Sequence, residues 1–149
     1  MLIAERYEGE IDYSKRCSGI TARDLRTRRP VWLRAVPRGK NVFSPESVFR
    51  FKRIVEALHG LEHPNVERVL DVGENEDLLY VATEEMPEQT LAERSREAPA
   101  FDQIAGWMGT AAAGLAAAHA RSILHGGLNA ERLRLNGAGL KVTGFGEGL

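Results

Sequence analysis

Cysteine is almost missing from this chain. Cys17 stands alone among 149 residues, so no internal disulfide is possible and the fold must be held by packing. That usage suits a reducing cytoplasm, the expected location. A lone thiol with no catalytic partner in view reads as inert. Long apolar runs are missing as well. The longest, around Ala111–Ala118, is alanine-rich and far short of the ~20 strongly apolar residues that span a bilayer. Glu5 interrupts the start of the chain where a secretory leader would stay apolar, and no small-residue cleavage pattern comes after it. His59, His63, His119 and His125 show no metal-site spacing with cysteine or carboxylate, so no metal and no cofactor are expected. Few aromatics, chiefly Trp32, Phe43 and Phe51, interleave the basic stretch, which makes nucleic acid an improbable partner.

What is present is an ordinary globular composition, 43% hydrophobic and 28% charged, in a length that suits one domain. The net charge of −1 conceals two opposed blocks. Between Lys15 and Arg53 twelve basic residues face Asp24 and Glu46, an excess of ten positive charges. From Glu56 to Asp102 thirteen acidic residues face Arg68, Arg94 and Arg96, an excess of ten negatives. Unless the fold interleaves these blocks, the molecule should be electrically polar.

The first forty residues read as a three-strand meander: Tyr7 to Ile11, Gly19 to Asp24 and Val31 to Val36, with Arg26-Thr27-Arg28-Arg29-Pro30 turning between the last two. Ser44 caps a helix with Pro45 at its first position, apolar Val48, Phe51, Val55 and Leu58 at helical spacing, and Gly60 at its end. Two strands follow, Val66 to Val72 and Leu78 to Thr83. Leu91 to Arg96 suggests a short helix and Phe101 to Arg121 a long one, interrupted by Gly106, Gly109 and Gly114. Leu133 to Leu135 and Leu140 to Thr143 are short strands turning at Asn136-Gly137. There is no internal repeat.

Five strands with a helix after the third, then a long helix, His125-Gly126-Gly127-Leu128-Asn129-Ala130-Glu131-Arg132 and Gly144-Phe145-Gly146, is an order that resembles a bacterial eukaryotic-type Ser/Thr protein kinase. Pro30-Val31-Trp32-Leu33-Arg34 is similar to the Val-Ala-Ile-Lys strand. His63-Pro64-Asn65 matches the segment before strand four, and Tyr80-Val81-Ala82-Thr83-Glu84-Glu85-Met86 resembles strand five entering the hinge. The resemblance implies an α+β fold, with a kinase N-lobe-like part over 1–86 and a partial, helical C-lobe-like part over 87–149, read together as one compact unit.

The same resemblance marks positions where chemistry has been replaced. A working kinase reads His-Arg-Asp-Leu-Lys-Pro-Glu-Asn and then Asp-Phe-Gly; the first Asp orients the substrate hydroxyl, and the Asn and second Asp hold magnesium. Gly127, Arg132 and Gly144 occupy those places, and Asn129 replaces the lysine. Arg34 stands for the phosphate-binding lysine, whose helical Glu partner is replaced by Ile54. The glycine-rich loop corresponds to Asp12–Gly19, with one glycine and an acid that would repel phosphate.

These departures lead to the expectation of a degenerate kinase-like domain, a pseudokinase and not an enzyme, serving as a regulatory or protein-interaction scaffold. Two alternatives remain: a metal-free nucleotide or phosphate sensor using Arg34 and Arg132, and docking of the basic face on nucleic acid or an acidic partner. In the family more helices follow the second motif, so the chain reads as truncated there, with Ile104, Met108, Ala111, Ala112, Leu115 and Ala118 on the long helix lacking part of their usual cover. A protein partner or self-association through that helix is expected.

Overall fold

Alternating apolar residues and tight polar turns in the first half produce antiparallel strands that pair in an almost sequential order. The computed structural model of the chain describes residues 2–10, 18–38, 43–85, 89–136 and 139–147. Its residues group into two compact units, Met1–Gly60 with Val69–Met86, and Leu61–Arg68 with Pro87–Leu149.

The first unit is an antiparallel sheet of β1 (Leu2–Ile3), β2 (Tyr7–Glu8), β3 (Ser18–Asp24), β4 (Pro30–Pro37), β5 (Val69–Glu74) and β6 (Leu78–Glu84), in the order β1-β2-β3-β4-β6-β5. The expected five strands are present, and β1 adds a sixth. The expected glycine-loop segment falls mostly outside the described residues, as does Cys17. Ile3, Tyr7, Ala22, Val31, Leu33, Leu78 and Ala82 form the core of the sheet, with Ile20 and Tyr80 packed on it. At about 25 cal/mol per Å² of buried apolar surface, such side chains contribute roughly 1.5–3 kcal/mol each.

The helix α1 (Pro45–His59) forms where the cap signals predict. Ser44 accepts the Ser47 N–H at 3.1 Å, and Phe51, Val55 and Leu58 are buried along one face. That face packs on β5. Gly60 ends the helix in an ordinary right-handed conformation, not the left-handed one that favours glycine.

The charge blocks are interleaved within this unit. Lys52 pairs with Glu74 at 2.5 Å, Arg38 with Glu74 at 3.4 Å and Arg6 with Asp71 at 3.5 Å, each joining the basic stretch or the N-terminus to an acid of the middle block. The Glu74 carboxylate raises the Lys52 pKa and is itself lowered by Lys52, chiefly through their hydrogen bond. The polarity expected from the linear sequence is thereby reduced, because β5 folds back beside basic elements.

In the second unit, β7 (Gln89–Thr90), β8 (Leu133–Asn136) and β9 (Gly139–Val142) form a small antiparallel sheet. Thr90 and Glu93 make a reciprocal capping box at the start of α2 (Leu91–Ser95). The long α3 (Phe101–His119) packs on β9, burying Ala111, Gly114 and Ala118. Small residues are needed there because Gly114 lies against the Asn65 backbone; a Cβ would sit 2.5 Å from the Asn65 carbonyl oxygen. Val66, read as the start of a strand, instead bridges Val142, so β5 begins three residues later. The turn residue Gly137 is outside the described residues.

No helix of the described residues is long and apolar enough to cross a membrane.

Candidate functional site

The kinase-like motif residues of the second unit converge around two short loops. His125 is buried, and its Nε2 lies 2.6 Å from the Thr143 carbonyl oxygen. A carbonyl can only accept, so Nε2 carries the proton and Nδ1 is left to accept the Gly127 N–H at 3.2 Å. The ring stacks obliquely on Phe145, centroid to centroid 4.7 Å, and the His125 carbonyl accepts the Gly146 N–H at 3.0 Å. The two motifs are thus fastened to each other by both side chain and backbone.

Behind them sits Glu67, fully buried, whose carboxylate accepts the Phe145 N–H at 3.3 Å while its own N–H donates to Val142. Sequence reading overlooked this residue. Val66–Val72 also holds Arg68 and Asp71, so no local pattern singled Glu67 out from the other polar residues of the segment.

Arg132 lies beside Gly144. Its guanidinium pairs with Glu147 through Nη1 and also reaches the Gly144 carbonyl at 3.4 Å. The Arg132 carbonyl accepts both the N–H and the hydroxyl of Thr143, at 2.8 and 2.9 Å. Gly144 has φ +72°, and a Cβ there would meet Arg132 Cδ and Nη1 at 2.7 Å. Glu147 escaped sequence reading because it lies fifteen positions from Arg132, with no local periodicity joining them.

This geometry does not fit the magnesium that a kinase places here. A metal needs carboxylate or amide oxygen donors. The positions supply a glycine and a guanidinium; the Glu147 carboxylate is already paired with that guanidinium, and the Glu67 carboxylate accepts the Phe145 N–H. Among the described residues no group of three or more His, Cys, Asp and Glu is placed to hold a metal ion. Gly127, at the base position, is half-buried, has no side-chain acceptor and gives its N–H to His125; Asn129 is exposed, with its side-chain oxygen accepting the Glu131 N–H at 3.0 Å.

A direct consequence concerns restoring the lost acid. Gly144→Asp should lower stability by about 1–2 kcal/mol, because it places an L side chain at positive φ against the Arg132 side chain. Thermal melting of the variant against the parent reads the loss, and an unchanged curve would contradict it.

The remaining predicted positions belong to other elements. In the first unit, Arg34 on β4 is 4% exposed, and its guanidinium sits 5.9 Å from the Phe51 ring centroid. It lies against an aromatic face. Ile54 is half-buried on α1 beside the buried Val55. On α3, Ala111 and Ala118 are buried and Leu115 is half-buried, whereas Ile104, Met108 and Ala112 are exposed.

No protein-family model matches the chain. It is similar to a probable serine/threonine-protein kinase of Clostridium perfringens, 35% identical over 104 residues. The matched part is 68% of this chain and 15% of that protein. It is also similar to the serine/threonine-protein kinase PrkC of Bacillus subtilis, 30% identical over 68% of this chain and 16% of the relative. A third relative is the probable serine/threonine-protein kinase PknB of Lactococcus lactis, 31% identical over 67% of this chain and 16% of the relative. The chain therefore spans about a sixth of the length of the curated relatives it matches. The expectation that it stands outside the enzymes is overturned here, because all three relatives are named as kinases and the kinship is with a class of enzymes. Replaced residues describe particular positions and do not define ancestry. Partial homology and an α+β fold with a curled antiparallel sheet together show that this chain carries a kinase-like domain.

Proposed function

We propose that this kinase-like domain is a degenerate one, with a regulatory or scaffolding role exercised through protein contacts. The observation that carries this reading is the Arg132–Glu147 ion pair closed over Gly144. Where the resemblance places magnesium between two acidic or amide donors, this chain has built an internal salt bridge and a glycine turn. Such an arrangement stabilises the loops without recruiting a metal, and Gly127 offers no carboxylate to orient a substrate hydroxyl.

Nothing favours the two alternatives. Arg132 is engaged by Glu147, and Arg34 is buried in the other unit. Several members of the basic block are paired with acids of their own unit.

Thermal melting with and without Mg-ATP tests the proposal. A ligand at about 100 times its dissociation constant adds about 2.7 kcal/mol of stability. The expected result is an unchanged melting curve; a clear upward shift would overturn the reading.

A further inference from the structure

Side chains alternate between the two faces of a strand, so Pro30, Trp32, Arg34 and Val36 share one face of β4. Burial falls along it. Val36 and Arg34 are buried, Trp32 is half-buried and Pro30 is exposed, so this face opens to solvent at its Trp32 end. The register of β3 and β4 sets Trp32 opposite Thr21 and Arg34 opposite Gly19. The indole does not stay over its own partner. It crosses diagonally to lie on Gly19, where an added Cβ would meet the ring atoms Cζ2, Cε2 and Nε1 at 2.5, 2.8 and 2.9 Å. Glycine is required there because any side chain would contest the space the ring fills.

Two markers of nucleotide space bound the position of that ring. In a kinase the glycine-rich loop covers the phosphates of ATP, and the lysine of the following strand pairs with them. Gly19 closes the stretch that corresponds to the loop, Arg34 stands for the lysine, and the two face each other directly across the hairpin. We propose that Trp32 is an internal occupant of this space, a self-blocking contact in which the indole, seated on Gly19, closes the first unit to nucleotide. Size is matched across the pair, with the largest side chain at 32 and none at 19. The inference rests on the degenerate-kinase reading and deepens it. The second unit offers nothing to hold a metal, and the first excludes the nucleotide by volume.

Melting of the full chain in EDTA, with and without ADP, tests the contact without calling on a metal. ADP should leave the parent unmoved. Trp32→Ala removes the ring, and Gly19→Ala pushes it aside, since the nearest atoms its Cβ meets all belong to the indole. In each variant about 5 mM ADP, against a dissociation constant on the order of 1 mM, should raise the melting temperature by about 2–4 °C. Tryptophan emission of Gly19→Ala should also move to the red as the indole enters water. A folded Trp32→Ala chain that ADP leaves unmoved overturns the proposal; where that variant does not fold, the same result for Gly19→Ala does so. Either result leaves the degenerate-kinase reading standing. A parent that ADP raises as much as the variants also overturns the proposal, whereas a parent raised by Mg-ATP removes the degenerate-kinase reading itself.

Discussion

Replacing Gly114 by leucine should destabilise the second unit by about 3 kcal/mol or more, the largest effect expected of any single substitution in the long helix. The reason is a backbone contact, not a side-chain one. A Cβ at this position would lie 2.5 Å from the Asn65 carbonyl oxygen and 3.2 Å from its carbon, and a peptide group cannot rotate aside as a long side chain can. Asn65 is itself fixed, since its side-chain amide donates to the Leu140 carbonyl at 3.0 Å and its own carbonyl accepts the Val142 N–H at 2.8 Å. The helix would have to lift from β9, exposing Ala111 and Ala118 and loosening Val142 and Leu140. Gly106→Ala is the internal control. Nothing lies within 4 Å of a Cβ there, so the same gain of helix propensity, up to about 1 kcal/mol, appears without a clash. Opposite signs for the two substitutions in chemical denaturation would support this account, and equal effects would sink it.

Asp24→Ala should lower the stability of the first unit by about 2–3 kcal/mol. Asp24 is almost fully buried at the end of β3 and accepts two hydrogen bonds from Arg6, at 2.9 and 2.7 Å, together with the Arg26 N–H at 2.9 Å. Arg6 also lies 3.5 Å from Asp71, which accepts the Tyr7 hydroxyl at 2.8 Å. Tyr7 and Tyr80 meet edge to face with centroids 5.8 Å apart. Truncating Asp24 leaves a guanidinium facing a space shaped for a carboxylate. Arg6 keeps some access to water, which places the expected loss below that of a fully buried pair.

Acidity should reveal the same pair. The Arg6 hydrogen bonds hold the Asp24 carboxyl well below the usual carboxylate range near 3.9. A depressed folded-state pKa means the unfolded chain takes up the proton first as pH falls. The contribution of Asp24 is therefore complete above about pH 4 and fades progressively below it. In urea titrations the parent should lose more stability between neutral pH and about pH 3 than Asp24→Asn does. Parallel pH profiles would contradict the assignment.

Much of the architecture could be read from neighbouring residues alone. Ser44, Pro45 and the Phe51, Val55, Leu58 spacing announced α1, because capping and amphipathic periodicity are properties of adjacent positions. The β3–β4 hairpin and the small-residue helix α3 were legible for the same reason, as were Gly127, Asn129, Arg132 and Gly144, which sit in two contiguous segments. Strand β1 was not: two residues carry no periodicity, and Leu2–Ile3 becomes a strand only because Tyr7–Glu8 is beside it. Val66 looked like Val69 and Val72 further along the segment, yet it pairs with Val142 while Val69 starts β5.

The sequence by itself determined the element order, the kinase-like kinship and which catalytic residue types are replaced, since each of these is written in local patterns. Only tertiary structure decided what the replacements do. Folding brings Glu147 to Arg132 and Glu67 to the Phe145 N–H, and it sets acids of the middle block beside Arg38 and Lys52. Those pairings join residues from 15 to 78 positions apart, and an interaction of that range depends on where the backbone turns, which no single segment encodes.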